Sequence, residues 1–245
     1  GLSLCLTIML GIFTWRDIKP TPDGIDKLFI STENTPRFLT REGTVLNISY
    51  QDEWNHFDTV PLIHIPDFLI TAFLLSEDKR FYSHHGIDWQ ARFSALITNI
   101  SHGKTLRGAS TISEQVIKMI QKRPRTIWSR WIEGWNAVGL ERRYNKDQIL
   151  QFYLNQLPYA SQRRGIVQAA RYYFNRDLTT LSRKEMMALA VLVRAPSRLD
   201  LYRHPGAIDY ALENLADSMI ENGYLTAEDK QNIMDMPLGL ERPHL

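Results

Sequence analysis

The chain has 245 residues and a mass of 28.5 kDa, is 44% hydrophobic and 23% charged, and sets 29 basic against 27 acidic side chains for a net charge of +2. That length supports one domain, or one large lobe with a small companion, and the composition excludes disordered, collagenous and disulfide-stapled chains. A single cysteine, Cys5, excludes internal disulfides and multi-cysteine zinc or iron–sulfur sites, and the near-neutral charge argues against nucleic acid as a partner.

Leu2 to Trp15 contains no charged residue. At about 20 residues per membrane span the run is too short to cross alone. It reads as the outer end of a signal anchor, residues 1–18, with everything after Arg16 outside the cytoplasmic membrane. A buried helix or strand of the same length is also permitted. Residues 19–65 follow as a linker with a small β-containing segment. Pro20, Pro22 and Gly24 break the chain, and Arg37 to Leu46 reads as two short strands about a Glu42-Gly43 turn.

From residue 66 to 245 the pattern is that of a mainly helical lobe. Pro66 and Asp67 open a helix, Asp88 caps another that ends near Ser101, and Thr126 starts a tryptophan-rich helix reaching about Arg143. Thr111/Glu114, Asn145/Gln148 and Ser182/Glu185 have capping-box spacing. Further helices are predicted over 165–174, 183–193 and 207–222.

Three constellations bear on chemistry. Glu77 ends an apolar helix just before the aromatic and histidine-rich turn Asp78 to Gly86. A carboxylate against apolar walls is pushed toward neutrality, which suits a general acid or base, although a Glu-Asp pair at a helix end is ordinarily a solvated cap. Gly108 to Gln115 is a small-residue loop entering a helix, where free N–H groups and hydroxyls favour an anion. Lys118, Lys122, Arg123, Arg125 and Arg130 follow without an intervening acid, which suggests a focused phosphate site, with a solvated basic face or contact with anionic lipid as alternatives. Glu133, three residues after Arg130, shares its helix face.

These segments together resemble the peptidoglycan glycosyltransferases of glycosyltransferase family 51, found alone or as the first module of class A penicillin-binding proteins. The first family motif is matched by Glu77, Asp78, Phe81, His84 and Gly86, and the second by Gly108, Ser110, Thr111, Ile112, Gln115 and Lys118. Arg130 and Glu133 match the third, and Ile149 to Asn155 the fourth. The resemblance runs from about Phe38 to Pro205, with the motifs in family order. It departs from the family at Glu114 (a glutamine there), Met119 (an asparagine), Ser129 (an arginine) and Pro158 to Gly165, which lacks the usual run of glycines.

The resemblance implies a lysozyme-like helical lobe with a membrane-proximal jaw around Ile97 to Leu106. The family polymerises lipid II on the outer face of the bacterial cytoplasmic membrane, with inversion and release of undecaprenyl diphosphate. Glu77 is the implied base, and Lys118, Arg130 and Arg125 neutralise the departing diphosphate. Glu133 orients those cations or helps hold a divalent metal, Mg or Mn. Ser110, Thr111 and Gln115 line the donor site, and Asp78, Phe81 and His84 complete the substrate-binding set. Implied partners are lipid II, the growing glycan chain, the membrane, and transpeptidases and other cell-wall synthesis proteins.

Two other readings compete. A lytic enzyme acting on the same polymer has no diphosphate leaving group and no use for the cations. A catalytically weakened homologue that binds lipid II or scaffolds wall-synthesis partners would accommodate Glu114, Met119 and Ser129. No Lys-Thr-Gly accompanies the two Ser-x-x-Lys matches, Ser76–Lys79 and Ser101–Lys104, so neither is read as a transpeptidase site, and the sequence reads as a monofunctional enzyme or as the first module of a longer one.

Overall fold

The computed structural model describes residues 2–20, 54–102, 110–194, 200–204 and 206–241. Among the described residues there are ten α-helices, with two isolated β-bridges, His85–Ile87 and Pro158–Arg164, and no longer strand. The expected strand pair over 37–46 lies outside the described residues, as do residues 103–106 of the jaw. The described parts of 1–30 and 80–149 form one compact unit, and those of 31–79 and 150–245 form a second.

The first unit contains α1 (Leu2–Asp17), the turn at 80–87, α3 (Trp89–His102), α4 (Ile112–Gln121) and α5 (Ile127–Arg143), while α2 (Asp67–Glu77) belongs to the second. Its core joins α4 to α5: Ile112, Val116 and Ile117 are buried on one, and Ile132, Ala137 and Leu140 on the other. Burial of each of the larger of these side chains, the isoleucines, Val116 and Leu140, contributes roughly 1.5–3 kcal/mol. Thr111 caps α4 by accepting the Glu114 N–H at 3.1 Å, and the Glu114 carboxylate accepts the Thr111 N–H at 3.1 Å. The Thr111 hydroxyl also donates to the Gly86 carbonyl at 2.7 Å, which ties the 80–87 turn to the start of α4.

The second unit is built on α2 (Asp67–Glu77), the last two turns of α6 (Lys146–Gln156), α7 (Gly165–Phe174), α8 (Arg183–Leu192), α9 (Asp209–Glu221) and α10 (Ala227–Asp235). Every residue of α8 from Glu185 to Leu192 is buried, which makes it the central helix of the unit. Phe73 of α2 meets Tyr153 of α6 edge to face at 6.4 Å. A buried polar network secures the stretch before α2: the Asn55 side chain donates to the carbonyls of Asp58, Asn155 and Arg164, and the Asp58 carboxylate accepts from Arg171 at 2.7 Å.

The punctuation foretold the helices well. Asp88 accepts the Ala91 N–H at 2.8 Å, and Asn145 and Gln148 bond reciprocally at 2.8 and 3.0 Å. Helix α10 was not foreseen, although Thr226 and Asp229 carry the capping-box geometry at its start.

Candidate active site

Glu77 is the last residue of α2, in the second unit, and its side chain is only 10% exposed. Arg194, just beyond α8, donates from Nε to Glu77 Oε1 at 3.1 Å and from Nη2 to the Ser76 carbonyl. The two donors fix both the carboxylate and the backbone beside it. The buried hydroxyls of Tyr153 and Tyr159 are pushed far up by burial first and by the neighbouring Glu77 charge among other causes. Both phenols therefore stay neutral beside the carboxylate. Asp78 is buried and caps α2, its N–H donating to the Leu74 carbonyl at 2.8 Å.

The cations and Glu133 belong to the first unit. Glu133 is half-buried on α5. Burial pushes its carboxyl up, against the opposing pull of Lys118, Arg130, Arg123 and Arg92. All four cations act on Glu133 electrostatically, Lys118 most strongly. Lys118, Lys122, Arg125 and Arg130 are exposed. Arg123 is turned elsewhere: its Nη2 donates to the Asp17 carbonyl at the end of α1, 2.6 Å away. Arg92 of α3 pairs with Glu114, an interaction that residue spacing did not reveal.

Glu114 is buried, and burial lifts its carboxyl to about 7, opposed by Arg92 and the Thr111 N–H and reinforced by Glu133. The acid standing where the family has glutamine is thus held by a capping box and an ion pair. Ser129 is buried with its N–H donating to Thr126 Oγ1 at 3.0 Å, so the site has no cation at that position.

Of the remaining candidates, Ser110 is exposed at the entry to α4, Gln115 is half-buried, and Thr111 is buried with its hydroxyl engaged as above. Phe81 and His84 are buried, so they hold the 80–87 turn rather than facing solvent. Lys146 Nζ lies 4.4 Å from the Phe81 ring centroid and 3.5 Å from His84 Nδ1, and donates to Glu141 at 2.7 Å. Gly108 lies outside the described residues.

Among the described residues no three His, Cys, Asp or Glu side chains gather as a metal site, and the cations around Glu133 oppose one there.

Residues 41–220 match the family model described as transglycosylase. Among curated relatives, penicillin-binding protein 1A of Aquifex aeolicus is 33% identical over 184 residues, 75% of this chain and 25% of that protein. Penicillin-binding protein 1F of Bacillus subtilis is 35% identical over 184 residues, 75% of this chain and 26% of its own length. The chain thus spans about a quarter of the length of the curated relatives it matches. The crystal structure of penicillin-binding protein 1A from Haemophilus influenzae shares the fold at a TM-score of 0.50, with 18% identity, over 88% of this chain and 22% of that one.

Proposed function

Because the chain belongs to the transglycosylase family, we propose that it is a peptidoglycan glycosyltransferase that polymerises lipid II with inversion and release of undecaprenyl diphosphate. The observation that carries the reading is Glu133 under the pull of the exposed Lys118 and Arg130, the latter three residues before it on the same helix. A reaction that expels a diphosphate needs such a centre, and hydrolysis of a finished glycan does not.

Glu77 accepts the proton of the attacking 4-hydroxyl, and Arg194 keeps its carboxylate in one orientation. Lys118, Arg130 and Arg125 neutralise the leaving diphosphate, and Glu133 orients those cations while offsetting their mutual repulsion. Ser110 and Gln115 line the donor site.

The same reading places the protein at the bacterial cytoplasmic membrane with its helical units outside. Among the described residues no helix is long and apolar enough to cross a membrane. Support for a membrane seat comes from α1, whose Ile8, Met9, Leu10, Ile12, Phe13 and Trp15 are exposed, and from Trp89, Phe93 and Ile97, exposed at four-residue steps on α3 and leading into the expected jaw.

Incubation with labelled lipid II, with products separated on a gel, tests the function. Glycan ladders that vanish in Glu77→Gln are expected. Retained lipid II binding without polymer from the unaltered protein would replace this reading with the weakened homologue, which the loss of a cation at Ser129 favours.

A further inference from the structure

The last turn of α1 is held by a connected set of polar contacts that the proposed chemistry leaves unexplained. The Trp131 indole donates to Thr14 Oγ1 at 3.0 Å, and the Trp128 indole to Asp17 Oδ2 at 2.7 Å. Arg123, bonded to the Asp17 carbonyl, also donates from Nε to Gln121 Oε1 at 3.1 Å. Asn136 donates to the same Gln121 oxygen at 2.9 Å and accepts the Lys19 N–H at 3.2 Å. Thr14 is buried while its apolar neighbours Ile12, Phe13 and Trp15 are exposed.

A helix that merely adheres to a protein buries an apolar stripe along its length. Here α1 buries a hydroxyl and engages a carboxylate at one end, and hydrogen bonds of this kind fix direction more than they add adhesion. The carbonyl end of a helix is its negative pole, and Asp17 adds a further negative charge there; Arg123 and the Trp128 N–H offset both. The residues so held bracket the connection from α4 to α5. Gln121 ends α4, Lys122 sits in the left-handed region at φ 43°, and Trp128 lies in the first turn of α5. Lys122 and Arg125 are on that connection, and Arg130 and Glu133 follow on α5.

We infer that Thr14 and Asp17 are positioning residues for the diphosphate-binding cations, so that the end of α1 is a structural part of the donor site and not a tether alone. Arg123 serves this clamp rather than the diphosphate. The inference rests on the proposed donor site, and its test separates the two.

The full chain is compared in detergent micelles, where tethering to a bilayer is irrelevant, with Thr14→Val/Asp17→Ala, Trp128→Phe and Asp17→Asn. Affinity for labelled undecaprenyl diphosphate, KM and kcat for lipid II, and the rate of tryptic cleavage after Arg125 are measured. The double variant is expected to bind the diphosphate about tenfold more weakly, the loss of roughly one net hydrogen bond. It should show a matching rise in KM, a kcat within about threefold, and cleavage accelerated by about the same factor as binding is weakened. Trp128→Phe should fall in between, and Asp17→Asn, which keeps an acceptor for Trp128, should stay near the unaltered protein. Unchanged affinity and unchanged cleavage in the double variant would overturn the clamp. An unaltered protein that binds the diphosphate but makes no polymer defeats the enzyme reading alone, with the clamp still judged by affinity and cleavage. One that binds no diphosphate overturns the clamp's role in a donor site.

Discussion

Arg194 reaches Glu77 across 117 positions of sequence, and that contact helps set how the candidate base is presented. A carboxylate with free rotation about its side chain offers its lone pairs in many directions, whereas one held by a guanidinium is confined to few. Arg194→Ala is expected to lower kcat for lipid II polymerisation by about ten- to a hundredfold with little change in KM, and Arg194→Lys to recover part of it. Equal kcat in all three proteins would remove Arg194 from the site. At Glu114 the sign of a pH effect follows from burial. Its folded carboxyl lies near 7 against an ordinary value of 4.5, so between these the folded chain keeps a proton that the unfolded chain has lost. Stability from this group is therefore full below about 4.5 and falls as pH rises through about 7. Glu114→Gln keeps the cap but not the charge; it should match the unaltered protein near pH 4 and exceed it near pH 8 by roughly 2–3 kcal/mol in urea unfolding. If Arg92 fully compensates the carboxylate, the two curves will coincide instead.

At the scale of elements, the boundaries were legible because caps are local. A hydroxyl or amide three residues before its partner is visible in the chain, and Thr111, Asn145 and Ser182 each start a helix as their spacing foretells. The pairing of Arg92 with Glu114, of Arg194 with Glu77, and of Asp17 with Trp128 was not legible, since each depends on how helices distant in sequence pack. The family resemblance named Glu133 and its cations, but it took the structure to show that Arg123 faces α1. Two turns show what a missing or present glycine does. Gly86 has φ +80°, and a Cβ there would stand 2.5 Å from the Val138 nitrogen and 2.7 Å from the Ala137 carbonyl carbon. Gly86→Ala should therefore cost about 3 kcal/mol or more, read as a loss of thermal stability, because backbone cannot yield as a side chain can. Ser161 and Gln162 instead occupy the left-handed region at φ 53° and 60° without glycine, in the stretch where the family's glycines are absent. Gln162→Gly relieves about 1 kcal/mol of that strain, partly offset by a more flexible unfolded chain, so a small rise in Tm is expected. A fall would mean that the Gln162 side chain holds the turn.

For the molecule as a whole, a net charge of +2 is an average over unlike regions. The five cations from Lys118 to Arg130 lie in the first unit, as do the exposed apolar faces of α1 and α3. In the second unit the large exposed apolar residues, Ile63, Tyr210, Tyr224, Met236 and Leu240, are scattered along the chain rather than spaced along one helix face. On the proposed membrane reading the first unit would meet the lipid surface, through apolar insertion and through attraction to phosphate, and the two contributions respond differently to salt. Ionic attraction is screened within about 10 Å at 0.1 M salt, whereas apolar burial is not. Binding of the full chain to neutral phosphatidylcholine vesicles, measured by co-sedimentation at high salt, isolates the apolar part. The variant Trp89→Ser/Phe93→Ser/Ile97→Ser is expected to bind those vesicles at least tenfold more weakly, because three exposed side chains on one helix face lose their apolar area together while α1 is untouched. Unimpaired binding of that variant would confine the membrane seat to α1 and leave the α3 stripe for another partner.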